Sequence, residues 1–169
     1  MPRKPRRVLG IDPGIGSFGW AVVTDGQQKP ALVASGCLRT PAGMPVAARL
    51  EKLYDELTGV IQKQEPQSMA IEELFFSKNV STAMSVGQAR GIAILAAAKH
   101  RLPIQEFTPT RIKSTVTGDG RADKRQVQRM IAMLLGLVRA PKSDDESDAV
   151  AVALCGWQTR PLSSVYGQS

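Results

Sequence analysis

Acidic residues stand at three separated places where an apolar run ends or a helix begins. Asp12 follows Val8, Leu9 and Ile11, Glu72 follows Ser68 to Ile71, and Asp144, Asp145, Glu146 and Asp148 precede an alanine- and valine-rich stretch. In a helix Asp145 and Asp148, three apart, share a face. If the three places meet, four carboxylates converge. Two like charges about 4 Å apart repel by roughly 4 kcal/mol at an effective dielectric near 20, so such a group requires cations or protonation. Oxygen donors without histidine or cysteine select a hard ion, Mg²⁺ or Mn²⁺. A pair of such ions about 3.5 to 4 Å apart activates a water and stabilises the leaving oxygen of a phosphodiester. Taken alone, the acidic cluster needs no more than a dipole-favoured helix N-terminus, and Asp12-Pro13 no more than a turn. The combination is what points to chemistry.

Cationic and aromatic residues accompany the acids. Arg111, Lys113, Arg121, Lys124, Arg125 and Arg129 crowd the segment before the last acidic cluster, and Phe75 and Phe76 follow Glu72. Lysines and arginines there would neutralise phosphates, and an exposed Phe could stack on an unpaired base. The bland alternatives are a solvated face for the charges and core packing for the phenylalanines, the latter expected of one of the two. Gly14, Gly16 and Gly19 match a G-x-G-x-x-G dinucleotide fingerprint. That motif must open a helix, whereas Trp20-Ala21-Val22-Val23-Thr24 is aromatic and β-branched and reads as a strand. The glycines are better explained by a tight turn and by close backbone approach to something beside Asp12.

The elements that must position these residues follow in order. Val8 to Thr24 reads as a β-hairpin with Asp12 ending its first strand, and Ala31 to Leu38 as a third strand. Pro45 starts a helix with Val46, Leu50, Leu53, Tyr54, Leu57, Val60 and Ile61 on one face, which Pro66 stops. A short strand from Ser68 to Ile71 leads to Glu72 and Glu73. The intervening helix makes the connection long enough to lay this strand parallel to the first, which would bring Asp12 and Glu72 to the same sheet edge. Ser77 or Asn79 caps a second helix reaching about Lys99, with Val80, Ala83, Met84, Gly87, Gly91 and Ile94 along one side. Its half GIAILAAA is apolar nearly all round and is expected to be buried. Gly87 and Gly91 permit close approach of another element, within the domain or across a dimer seam. Ile104 to Phe107 is a fifth strand. A short helix from Pro109, a basic Gly-containing loop (Thr117 to Lys124), a helix to Leu135 and a last helix from about Asp144 to Thr159 complete one domain over residues 1–160, with 161–169 read as a flexible tail. The order describes an α/β domain with a mixed five-stranded sheet flanked by helices, a ribonuclease H-like fold.

With 169 residues, 43% apolar and 22% charged, the chain has an ordinary globular composition for one domain. Twenty-two Lys and Arg against fifteen Asp and Glu give a net charge of +7, which favours a polyanionic partner. Cys37 and Cys155 lack metal-ligand spacing and read as two buried thiols of a reducing compartment. The basic start runs straight into the first strand without a cleavage pattern, and no apolar stretch is long enough to span a bilayer. A cytoplasmic protein is expected.

LGIDPG followed by GWAVV, IEELFFSKN, the S-x-GQARG helix, a T-x-x-x-x-K-x-x-V-x-G stretch and DESDAVAVA together resemble the RuvC family of Holliday junction resolvases, from about Val8 to Trp157. The resemblance implies a homodimeric, divalent-metal-dependent endonuclease that resolves four-way DNA junctions in recombination and repair by symmetric paired nicks. It also implies cooperation with RuvA and RuvB. The family's catalytic, metal-holding acids fall on Asp12, Glu72, Asp145 and Asp148, choosing between Asp144 and Asp145 where periodicity does not. Some members carry histidine where Asp145 stands. The family's junction-contacting lysines fall on Lys113 and Lys124, and its stacking aromatic on Phe75. The chain differs mainly in a basic N-terminal extension and a short tail. Competing readings are a ribosomal-RNA-processing nuclease of the same fold, a non-catalytic DNA-binding module, and an actin-like ATP-binding protein, the last lacking a second phosphate hairpin.

Overall fold

The computed structural model describes residues 5–74 and 80–159. Phe75, Phe76, the Ser77 or Asn79 cap and the tail at 161–169 lie outside the described residues. Strands β1 (Arg7–Asp12), β2 (Ser17–Asp25) and β3 (Pro30–Arg39) form an antiparallel meander, and β4 (Ser68–Glu72) and β5 (Ile104–Phe107) add in parallel on the other side of β1, giving the order β3-β2-β1-β4-β5. Helices α1 (Val46–Gln64), α2 (Val80–Lys99), α3 (Pro109–Thr117), α4 (Lys124–Leu135) and α5 (Asp144–Gln158) cover the sheet. The mixed five-stranded sheet expected from the sequence is thus present.

Alternation along the strands divides the core in two. Leu9 and Ile11 of β1, Phe18 and Val22 of β2 and Met69 and Ile71 of β4 turn to one face, where they pack with Leu53, Leu57 and Ile61 of α1 and Ala89, Ala93, Ala96 and Ala97 of α2. Val8, Ala21, Val23 and Ala70 turn to the other and meet α5, whose residues from Ala149 to Gly156 are all buried, together with α3 and α4. The i, i+4, i+8 spacing of Leu53, Leu57 and Ile61 gives α1 its one apolar stripe. That helix ends at Glu65, in the left-handed conformation at φ 47°, with its N–H on the Ile61 carbonyl, one residue before Pro66.

Helix α2 departs from expectation. Its alanine side, the buried Arg90 and the partly buried Ile92 face inward, while Gly91 is exposed, Leu95 is 46% exposed and Met84 64%. Nor does any described element of the chain press on its glycines: a Cβ on Gly91 would meet nothing within 4 Å, and one on Gly87 only Leu74 Cδ1 at 4.0 Å. The helix lies on α1 and the sheet with half its circumference, so an apolar sequence all round leaves an apolar stripe outside.

Candidate active site

Parallel pairing of β1 with β4 aligns Ile11 with Ile71, so the next residues, Asp12 and Glu72, leave the same sheet edge side by side. Antiparallel pairing sets Asp12 opposite Gly19 of β2. Above them runs α5, and glycines decide how closely. A Cβ on Gly19 would lie 2.1 Å from the Asp145 carbonyl oxygen, and one on Gly10 would lie 2.2 Å from the Ala149 carbonyl oxygen and 2.4 Å from the Ala153 nitrogen. The element that needed close approach beside Asp12 is therefore the last helix. The stacking sets the first turn of α5 over the ends of β1 and β2. Ser143 caps that turn, its Oγ accepting the Glu146 N–H at 3.2 Å.

The four acids feel one another. Burial pushes the half-buried Asp12 carboxyl up to about 7, and the neighbouring charges of Asp148, Asp145 and Glu72 push the same way against a smaller pull from Lys124. Glu72 is raised by burial and by Asp148, with Lys113 opposing. Asp148 is raised by burial, opposed by Lys124. Such a cluster is short of positive charge. Lys124 supplies some, its Nζ lying 3.2 Å from Asp148 Oδ2 and 3.1 Å from Asp144 Oδ2. Burial lowers the Lys124 pKa, but these two carboxylates outweigh it and raise it. Asp144, bonded to Lys124 and accepting from Gln128 Nε2 at 3.0 Å, is held below the usual carboxylate range.

Lys124 owes its place to a capping box at the start of α4. The Asp123 side chain accepts the Gln126 N–H at 2.8 Å and the Gln126 side chain accepts the Asp123 N–H at 2.7 Å, while Val127, Ile131 and Leu135 anchor the helix. Lys113 sits half-buried on α3 between the buried Ile112 and Val116. These two lysines act on the acids; the others expected on this face do not join them. Arg121, Arg125 and Arg129 are exposed to solvent, and Arg111 lies beside the Cys155 thiol.

The sequence reading missed two participants. Ser17 of β2 donates its hydroxyl to Asp145 Oδ2, and Cys37 of β3 places its sulfur 3.0 Å from Ser17 Oγ and 3.9 Å from Asp145 Oδ2. Cys155 is buried as expected, but Cys37 is only half-buried and lines the site. Gly19, which pairs with Cys37 across the ladder, puts both on the α5 face. The only available signal was period-2 spacing, which sets Ser17 on the same face as Gly19.

Oxygen-rich and short of positive charge, the donor set suits a hard divalent cation. Among the described residues no three acidic, histidine or cysteine side chains are drawn together to grip one ion as oriented here.

A family model described as crossover junction endodeoxyribonuclease RuvC matches residues 8–156, which include every acid of the site. The chain belongs to the RuvC family. Among curated relatives, crossover junction endodeoxyribonuclease RuvC of Chloroflexus aggregans is 48% identical over 163 residues, 96% of this chain and 99% of that one. RuvC of Pelotomaculum thermopropionicum is 47% identical over 148 residues, 88% and 90% of the two chains. Among solved structures, T. thermophilus RuvC in complex with a Holliday junction substrate superposes with a TM-score of 0.84 at 32% identity, covering 89% of this chain and 92% of the other. The yeast mitochondrial Holliday junction resolvase, at 17% identity and a TM-score of 0.65, shares the fold. A ribonuclease H-like RuvC fold is therefore established, and with it membership of a family of crossover junction endodeoxyribonucleases.

Proposed function

We infer that this chain is a crossover junction endodeoxyribonuclease that hydrolyses phosphodiesters at four-way DNA junctions. The observation that carries the reading is the meeting of Asp12, Glu72, Asp145 and Asp148 at one sheet edge, in a chain of net charge +7 that belongs to the RuvC family. These acids are the proposed holders of two Mg²⁺ or Mn²⁺ ions. When bound, the ions supply the positive charge the cluster lacks, make a water nucleophilic and stabilise the leaving oxygen. The chain's own groups do the rest. Lys113, near Glu72, and Lys124, near Asp148, bring the scissile phosphate to the acids, and Lys124 can exchange Asp148 for a phosphate while Asp144 keeps it in place. Arg111, Arg121 and Arg125 act further out, on the flanking backbone. Phe75, three residues beyond Glu72, is the proposed stacking partner for an unpaired base.

A homodimer supplies two such sites, as paired nicks require. The exposed stripe of Met84 and Leu95 on α2, with Gly91 between them open to a close neighbour, supports that helix as the seam. Partnership with RuvA and RuvB, and a cytoplasmic location, follow from the family resemblance; among the described residues no helix is long and apolar enough to cross a membrane. Cleavage of a synthetic mobile four-way junction tests the reading. Asp12→Asn is expected to abolish nicking with either Mg²⁺ or Mn²⁺ while leaving junction binding intact. An active Asp12→Asn protein, or preference for structured RNA over the junction, would refute it.

A further inference from the structure

The four acids differ in how firmly they are held. Asp148 is tied by Lys124, a long cation 49% exposed. Asp145 is tied to the sheet twice. Its backbone carbonyl rests on Gly19, where a Cβ would come within 2.1 Å, and its carboxylate receives the Ser17 hydroxyl two residues earlier on the same strand. Ser17 pairs in the ladder with Arg39, so the donor sits on a rigid strand and not on a loop. A serine hydroxyl carries one hydrogen. With that hydrogen given to Asp145, a hydrogen bond between Ser17 Oγ and the Cys37 sulfur 3.0 Å away is donated by the thiol, which also has the Leu38 carbonyl at 3.8 Å and Asp145 Oδ2 at 3.9 Å within reach. Ser17 and Cys37 both address the same carboxylate oxygen, Oδ2, and neither addresses Oδ1.

We propose that Ser17, oriented by Cys37, is a positioning residue that presents Asp145 to a divalent ion through a single oxygen. This rests on the reading of Asp145 as an ion ligand. An Oδ2 that already accepts the Ser17 hydroxyl has one of its lone pairs engaged and its carboxylate plane set by the strand, which favours ligation through Oδ1 over a two-oxygen grip. Single-oxygen ligation suits the strict octahedron of Mg²⁺, whereas larger, more permissive ions accept two-oxygen ligation. Outer hydrogen bonds to metal ligands are typically worth 10- to 100-fold in metal affinity. Ser17 thus sharpens both the strength and the choice of ion without touching it.

The test compares Ser17→Ala, Ser17→Thr and Asp145→Asn in the full chain. Junction cleavage is titrated with Mg²⁺ and with Mn²⁺, and Mn²⁺ binding to the DNA-free protein is followed by electron paramagnetic resonance. Ser17→Ala is expected to raise the half-saturating Mg²⁺ concentration about tenfold and the Mn²⁺ requirement less. It should also weaken Mn²⁺ binding and leave junction affinity in Ca²⁺ unchanged, with Ser17→Thr restoring the wild-type values. Wild-type metal dependence in Ser17→Ala, or slower cleavage with unaltered Mn²⁺ binding, would overturn the positioning role. Full cleavage by Asp145→Asn would instead overturn the ligand assignment beneath it, and the two failures are distinguishable because the second does not depend on Ser17.

Discussion

On the face covered by α1 and α2 the sheet presents Leu9, Ile11, Phe18, Met69 and Ile71, all fully buried, whereas beneath α5 it presents Gly10, Gly19, Ala21 and Ala70 beside the smaller Val8 and Val23. Large side chains on the first face remove apolar area from water at about 1.5–3 kcal/mol per residue. The small ones beneath α5 bury little area of their own. They let a helix backbone come down onto the strands, so that acids on helix and strands share one edge. Both faces carry a hydrophobic core, but only the one beneath α5 also holds repelling carboxylates at its edge, which cost stability.

That contrast can be broken from either side. The largest effect is expected from Gly10→Ala, a single added methyl whose carbon would lie 2.2 Å from one α5 backbone atom and 2.4 Å from another. Backbone cannot swing aside as a side chain can, so α5 must lift. A stability loss above about 4 kcal/mol in urea denaturation is expected. A loss under about 1 kcal/mol would show that the small residues do not set the helix height. Leu57→Ala, fully buried on the opposite face, should cost about 2–5 kcal/mol through its cavity. Its cleavage per folded molecule at low temperature should stay near wild type, since the cavity lies on the far side of the sheet from the acids.

Asp12→Asn is expected to reverse the sign. Burial and three acidic neighbours lift the folded pKa of Asp12 from the usual 3.8 to about 7, so between those values the folded chain binds protons that the unfolded chain has released. The stability associated with the protonated carboxyl is fully present below 3.8 and is lost as pH rises through about 7. In metal-free protein, thermal unfolding should therefore show Tm falling across that window. Asp12→Asn should flatten the fall and stabilise the metal-free chain above it by on the order of 1–3 kcal/mol after screening. An equal or steeper fall in the variant would place the repulsion elsewhere. The smallest effect sharpens the outer rim of the site: Lys124→Ala should lower the log-log salt slope of junction binding by about one. An unchanged slope would leave Lys124 serving the acids alone.

Much of this division was visible in the order of residues. Isoleucine–aspartate and isoleucine–glutamate at two strand ends, with a helix between the strands, require the acids to share an edge if the strands are parallel, and the β1–β4 pairing makes them so. The stripe of α1 and the capped starts of α3, α4 and α5 follow from local spacing and capping chemistry. Helix α2 misled because hydrophobicity states what leaves water, not which chain covers it, and Leu95 stays 46% exposed in one copy. Cys37 was assigned to the core because a lone thiol carries no pattern, and its place beside Asp145 depends on a ladder partner 18 residues away in sequence, Gly19.

The sequence by itself determined the strands, the helices, the basic charge and the three acidic positions, because each depends on neighbours within a few residues. Tertiary structure alone decided how near α5 lies to the sheet, how burial and the neighbouring acids together lift Asp12 to about 7, and which hydroxyl holds Asp145. Those properties arise between elements more than a hundred residues apart in the chain, where electrostatic and hydrogen-bond energies depend on separation in space and not on position in the sequence.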